Sequence, residues 1–296
     1  MMRWSLARIV LIVASIGLSA GFGSTESAAS PRVAPATRAT AKTTNTVKAA
    51  AKKKATGQLK YRKQPGGRVK LRHGAIVEGS ARHGGMQPDY HINFKHPKLA
   101  RILKKASMGK KTRDSFWSRV AKVQSIVSDS MPRTDYDDRV YLNLLATART
   151  KAKPISLGEY PAHKVGVCRE YAMITHLALA EAGIPSEFVY GKVAITDRGD
   201  STPLDHGEDH GIVLVKYRGK EWIVDTYFSD FNGHSLKEAQ GGISAGSNGK
   251  RAPHVEKHSE RNRKFIKVNA YPTYHLPVAG GAQTRAPAAT QPPAAP

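Results

Sequence analysis

Val165-Gly166-Val167-Cys168-Arg169-Glu170-Tyr171-Ala172 holds the only cysteine of a 296-residue chain. A lone thiol has no partner for an internal disulfide, so stapling does not explain it. The residues that follow read as a helix from Cys168 to about Ala182, with Ala172, Ile174, Leu177, Ala178 and Leu179 dense enough to bury it. Gly183 suits the left-handed position after a helix end, and Pro185 prevents continuation. The sulfur therefore stands at a helix N-terminus, where unpaired N–H groups and the macrodipole favour thiolate over thiol. A free cysteine is often only a small buried hydrophobe. The preceding turn at Gly166, the helix start and the groups downstream point instead to a nucleophile.

Downstream, Phe188 to Val193 reads as a strand and Thr196 to Asp209 as a polar loop. Gly211 to Tyr217 and Glu221 to Asp225 are β-rich runs about Arg218-Gly219-Lys220, which predicts a hairpin. A thiol nucleophile needs a base and a third group that orients the base. His210 opens the first run and is the preferred base. Asp225 closes the second, and an antiparallel pair brings those two ends together. Asp225 also reads as a simple strand-end turn former, and His206 competes as base. The His-x3-His spacing of His206 and His210 suggests a metal only on a helix, and Gly207 argues against one. His163, His176 and His234 read as loop, helix-face and turn residues, and His254, His258 and His275 lie in weakly patterned sequence.

Upstream, Phe116, Trp117, Val120, Val123, Ile126 and Val127 give a helical stripe over Thr112 to Met131, stopped by Pro132. Val140, Leu144 and Leu145 repeat the pattern from Asp135 to Arg149, so the two helices should pack as a hairpin. A short helix can start at Pro97. Lys151 to Val167 reads as loop, Gly241 to Gly249 as a surface loop, and Phe265 to Val268 as an edge strand. Helices followed by an antiparallel sheet are an α+β order.

The ends differ in kind. Arg3 and Arg8 precede an apolar run of about ten residues and then small residues, the form of a cleavable signal peptide over residues 1–29, too short to span a bilayer. Cleavage fits Leu18-Ser19-Ala20 or Ser27-Ala28-Ala29. Residues 30–58 are a basic Ala/Thr/Lys/Pro linker and 277–296 a Pro/Ala-rich tail, both expected to be disordered. Between them lie a basic extension, 59–96, and a domain, 97–276. The expectation is a secreted or periplasmic protein without a transmembrane segment after cleavage. The formal net charge is +24, and residues 30–105 hold 19 Lys plus Arg against Glu78 and Asp89. That excess attracts polyanions such as anionic envelope polymers. Nothing in the pattern predicts specific reading of nucleic acid, and a solvated basic linker fits as well.

Gly166-Val167-Cys168-Arg169-Glu170-Tyr171-Ala172, the helix end Ala182-Gly183-Ile184-Pro185, the Val189-Tyr190-Gly191 strand, His210 before a strand and Trp222-Ile223-Val224-Asp225-Thr226 resemble the transglutaminase-like superfamily. The resemblance covers about Tyr160 to Thr226. It implies a papain-like core with Cys168 as nucleophile, His210 as base and Asp225 as orienting carboxylate. It implies a protein or peptide amide substrate, hydrolysis or amine transfer as outcome, and no metal or organic cofactor. Gly211 and Ile212 depart from the small-then-aromatic pair that commonly follows the family histidine. The family also uses an upstream side chain for the oxyanion; Gln124 and Tyr160 are candidates here, with the Cys168 N–H as default donor. The rival expectation is a non-catalytic binding module held to anionic polymers by the basic arm.

Overall fold

The computed structural model describes residues 60–81, 84–196, 208–228, 231–244 and 262–278. The signal peptide, the linker, His206, His254, His258 and most of the two long loops and of the tail lie outside them. In chain order come β1 (Tyr61–Pro65), β2 (Arg68–Val69), β3 (Ile76–Val77), β4 (Tyr90–His91), α1 (Pro97–Ser107), α2 (Phe116–Ser130) and α3 (Arg139–Thr150). Then follow β5 (Ile155–Ser156), α4 (Glu159–His163), α5 (Cys168–Glu181), β6 (Ser186–Thr196), β7 (Glu208–Tyr217), β8 (Lys220–Val224), α6 (Leu236–Gly241), β9 (Asn262–Val268) and β10 (Thr273–Pro277). The architecture is α+β.

The main sheet is antiparallel and centred on β6. One edge of β6 pairs with β7, which pairs with β8; the other is shared by β2 and β9. Its two faces are both apolar. Val213, Val215 and Val224 face the helices, while Ile212, Leu214 and Ile223 pack with Phe231, Leu236, Ala239 and Phe265. β7 and β8 join through Arg218-Gly219, both at positive φ, 49° and 75°. That is the mirror-image turn whose twist suits a two-residue hairpin.

Helix α5 lies against this sheet, with α1 and α2 packed on it. Met173, Ile174, Leu177 and Leu179 are at most 1% exposed, and each fully buried side chain of this size contributes roughly 1.5–3 kcal/mol. The helix ends as its sequence predicts: Gly183 takes φ +72°, and the Ile184 N–H reaches back to the Leu179 carbonyl at 2.8 Å. A β-carbon at Gly183 would be strained whatever the space around it.

Three expectations are corrected. The helices α2 and α3 do not pack as a hairpin; α2 buries Trp117, Val120, Val123 and Val127 towards α1 and α5, whereas α3 buries only Tyr141 and Leu145 and leans on α4. The eight-residue connection between them is instead clamped to the turn before Cys168: the Thr134 N–H and hydroxyl donate to the Gly166 carbonyl at 3.2 and 3.0 Å, and the Gly166 N–H donates back to the Thr134 Oγ1 at 2.9 Å. Second, Lys151 to Val167 is not all loop, because it contains β5 and α4. Third, residues 59–96, expected as the basic N-terminal extension of a folded core from about Lys60 to Leu276, carry part of that core themselves. They supply β1 to β4, and Val69 with Leu71, Ala75 with Val77 and Tyr90 with Ile92 enter the common core two residues apart. With β5 and β10 these strands form a second sheet in the order β1-β10-β3-β4-β5. Around Val69 and Leu71, the cations Arg68, Lys70 and Arg72 conceal the period of two in the composition.

Candidate active site

Cys168 is the first residue of α5, after Val167 in an extended conformation. Valine offers no capping oxygen, so the helix start is held by Glu170, whose Oε2 accepts from the Val167 N–H at 2.9 Å. The Tyr90 hydroxyl donates to the other oxygen at 2.5 Å. Burial pushes the Glu170 carboxyl up despite these bonds. Arg169 is equally buried, its guanidinium 4.3 Å over Tyr190 and near Tyr90 and Tyr271. The turn that presents the sulfur is thus fixed from below by buried groups.

The β7–β8 register pairs Val213 with Val224. Its continuation sets Asp225 opposite Ile212, on the face that His210 shares by the two-residue strand period. His210 Nε2 and Asp225 Oδ2 are 2.6 Å apart, with both side chains 1% exposed. Asp225 Oδ1 accepts from the N–H groups of Tyr227 and Phe228 at 3.0 and 2.9 Å. Both carboxylate oxygens are therefore committed, and the imidazole is also packed against Phe228 at 4.9 Å and Phe231 at 6.3 Å. Its Nδ1 is buried without a hydrogen-bond partner among the described residues; it is the ring nitrogen not taken by Asp225, and the imidazole interacts electrostatically with the Cys168 thiol.

Burial lowers the basicity of His210, but the Asp225 carboxylate, and after it Cys168, overcome this and push it up to about 10. Burial acts on the Cys168 thiol in the opposite sense, upward. The interaction with His210, the Tyr136 hydroxyl and the Gly211 N–H outweigh it, and the thiol ends below its ordinary value. The two shifts both favour a thiolate beside an imidazolium.

At Gly211, β7 comes close to α5. A β-carbon there would sit 3.1 Å from the Arg169 Cα and 3.3 Å from the Cys168 carbonyl oxygen. That approach is the physical reason for a residue without a side chain after His210, and it brings the Gly211 N–H to the sulfur.

Neither upstream candidate reaches the thiol. Tyr160 is fully buried in an aromatic cluster with Tyr90 and Tyr141. The Gln124 amide lies behind Asp225, donating to its backbone carbonyl at 3.3 Å and to Asn232 Oδ1 at 3.1 Å; Asn232 in turn accepts from the Asp225 N–H at 3.2 Å. The residue that does reach the sulfur is Tyr136, whose hydroxyl is 3.4 Å from Sγ while its ring is 46% exposed. Sequence reasoning misses it because it places Tyr136 in a helix from Asp135, off its apolar stripe, whereas the helix begins at Arg139 and leaves Tyr136 in the α2–α3 connection.

Of the remaining histidines, His163 is paired with Glu159 at 3.7 Å, His234 with Glu238 at 3.3 Å and His275 with Glu78 at 2.6 Å. His176 lies on α5, as its position suggests; it is buried and bonds both Leu71 and Ser186. Among the described residues no three His, Cys, Asp or Glu side chains group as metal ligands, and no helix is long and apolar enough to cross a membrane.

No family model matches the chain, and no curated protein matches it. Among solved structures, a candidate cysteine protease from Cytophaga hutchinsonii is similar over 45% of this chain and 38% of its own length, at 14% identity and a TM-score of 0.29.

Proposed function

We propose that the protein is a cysteine peptidase or amidase of transglutaminase-like type with a papain-like core, acting through Cys168, His210 and Asp225 outside the cytoplasm. The observation that carries this reading is one buried imidazole set between a committed carboxylate and a helix-terminal thiol. The compartment rests on the charged start and short apolar run of residues 1–29.

The thiolate attacks the acyl carbon of an amide. Charge gathering on the carbonyl oxygen is met by the Cys168 backbone N–H, one of the uncommitted donors of the α5 first turn, and by the Tyr136 hydroxyl. His210 passes its proton to the departing amine, leaving a thioester on Cys168. Water then attacks the thioester while His210 takes up its proton, and the thiolate leaves as the acid product is released. Asp225 remains ionised throughout and holds the ring by Nε2. Amine attack on the same thioester gives transfer in place of hydrolysis; water, as the abundant acceptor, favours hydrolysis.

Iodoacetamide labelling of Cys168 against pH tests the reading. Alkylation of the native chain should persist well below the free-thiol range near 8.5, and His210→Ala should move the midpoint up by at least one pH unit. A native thiol that titrates near 8.5 with or without His210 would remove the thiolate–imidazolium pair, and with it the enzyme.

A further inference from the structure

At the end of the main sheet away from Cys168, a groove of about 400 Å³ runs beside the β1–β2 turn and the start of β6. Its polar lining is Arg62, Gln64, Arg68, Lys70, Arg72 and Glu187. A second hollow of about 130 Å³ shares Lys70 and Glu187 and adds Lys216 and Glu221. Five cations thus face two carboxylates in two hollows that share Lys70 and Glu187 in their linings. The β6–β7 register pairs Ser186 with Val215 at this end and Gly191 with His210 at the other. Five residues at ~3.3 Å each put the groove roughly 17 Å from the thiol end of the sheet.

The cations are not equivalent. Arg68 is engaged by Glu221 through both guanidinium nitrogens, the second at 3.0 Å, and has Glu187 at 3.9 Å. Arg72 donates to the Pro277 carbonyl, a contact that orients the fork without neutralising it. The side chains of Arg62 and Lys70 are exposed and form no hydrogen bond or ion pair among the described residues. Gathering like charges in a hollow opposes folding unless something anionic shares it.

We propose that this groove binds the backbone of a flexible phosphate polymer. Arginine forks match phosphate oxygens in pairs, and two neighbouring hollows that share a cationic wall suit a strand better than a single ion. Neither hollow is lined by an aromatic ring, so there is no platform for stacking bases and the partner is recognised by charge alone. Binding here is independent of the chemistry at Cys168. It would hold a polyanionic partner on the domain while the thiol end stays open to its substrate.

The test uses the full chain and labelled linear inorganic polyphosphate, titrated across a salt series. Arg62→Glu with Lys70→Glu is compared with Lys98→Glu and Arg101→Glu, an equal change in net charge on exposed residues of α1 outside the groove. Circular dichroism checks each fold, and Arg62→Gln with Lys70→Gln provides a milder pair. The groove pair should lose at least about tenfold in affinity, with the log–log salt slope falling by about 0.7 for each lost contact. The α1 pair should lose less than about threefold, and Cys168→Ala should bind as the native chain does. Equal losses from both pairs, or none from the groove pair, would overturn the site. A single-stranded nucleic acid binding more tightly than polyphosphate through Arg62 and Lys70 would overturn recognition by backbone charge alone.

Discussion

Helix α5 meets one buried histidine at its N-terminus and carries another in its second half, and the two are driven to opposite charge states. His210 and His176 are 1% and 2% exposed, so burial presses both towards the neutral form. For His210 the Asp225 carboxylate at 2.6 Å reverses that pressure, and its pKa rises to about 10. For His176 no carboxylate opposes burial, and its pKa falls to about 4. Its Nε2 accepts from the Leu71 N–H and its Nδ1 meets the Ser186 hydroxyl, each at 2.9 Å. This pattern fixes a neutral ring with the proton on Nδ1. Burial alone therefore says nothing about a histidine's role; the charge of its partner decides. One ring is held towards its charged form beside the thiol, and the other pins the N-terminal strands to α5.

The largest expected effect comes from removing that partner charge. In Asp225→Asn, the N–H groups of Tyr227 and Phe228 should retain the carbonyl oxygen at the Oδ1 position. The amide NH2 then faces His210 Nε2, which must become an acceptor, and the proton moves to Nδ1. An imidazolium in this setting has lost its counter-charge. Turnover of an amide substrate should fall by roughly 10²–10⁴ with the fold intact, and the alkylation midpoint of Cys168 should move towards 8.5. Unchanged turnover would mean that Asp225 serves only as the turn former its strand-end position also allows.

The second effect is on stability. His176→Phe leaves the Leu71 N–H buried without an acceptor and the Ser186 hydroxyl without its ring partner, a cost of about 1–3 kcal/mol. Urea unfolding at neutral pH should show it, while Cys168 alkylation in the folded fraction stays as in the native chain. The native ring stays neutral down to about 4 when folded, but takes a proton near 6.5 when unfolded. Between those values the unfolded state binds more protons, so stability falls as pH drops through that window. The variant should lack this slope. An unchanged acid dependence would show that His176 is not the group that titrates.

How far the sequence reveals this molecule depends on the range of the interaction. The helix from Cys168 to Gly183 and the hairpin about Arg218-Gly219 are legible because their signals are local: periodicity, a glycine after the helix end, a positive-φ turn. The meeting of His210 with Asp225 follows from hairpin register, one step removed. The second sheet is not legible, because two-residue strands such as β3 and β4 are too short to show a period and pair across long stretches of chain. Gln124 is misread for a related reason. An amide on a helix face carries no local sign of whether it meets a thiol or, as here, the main chain behind Asp225.

Tyr136 gives the smallest effect and the sharpest comparison with the histidines, since its contribution to the thiol is a single hydroxyl. Its position depends on the clamp between Thr134 and Gly166, which ties the α2–α3 connection to the turn before Cys168. Tyr136→Phe keeps the ring, and with it the edge contact to Tyr141 at 6.3 Å, but removes the bond to Sγ. The thiol should rise, by less than in His210→Ala, because a neutral donor stabilises thiolate less than an imidazolium does. If the hydroxyl also meets charge on the reacting carbonyl oxygen, turnover should fall further than the change in thiolate fraction accounts for, by about tenfold after that correction. Turnover measured on the alkaline plateau, where native and variant thiols are both ionised, separates the two roles. Equal plateau rates would confine Tyr136 to tuning the sulfur, whereas a plateau lowered about tenfold would make it a group that touches the reacting atoms.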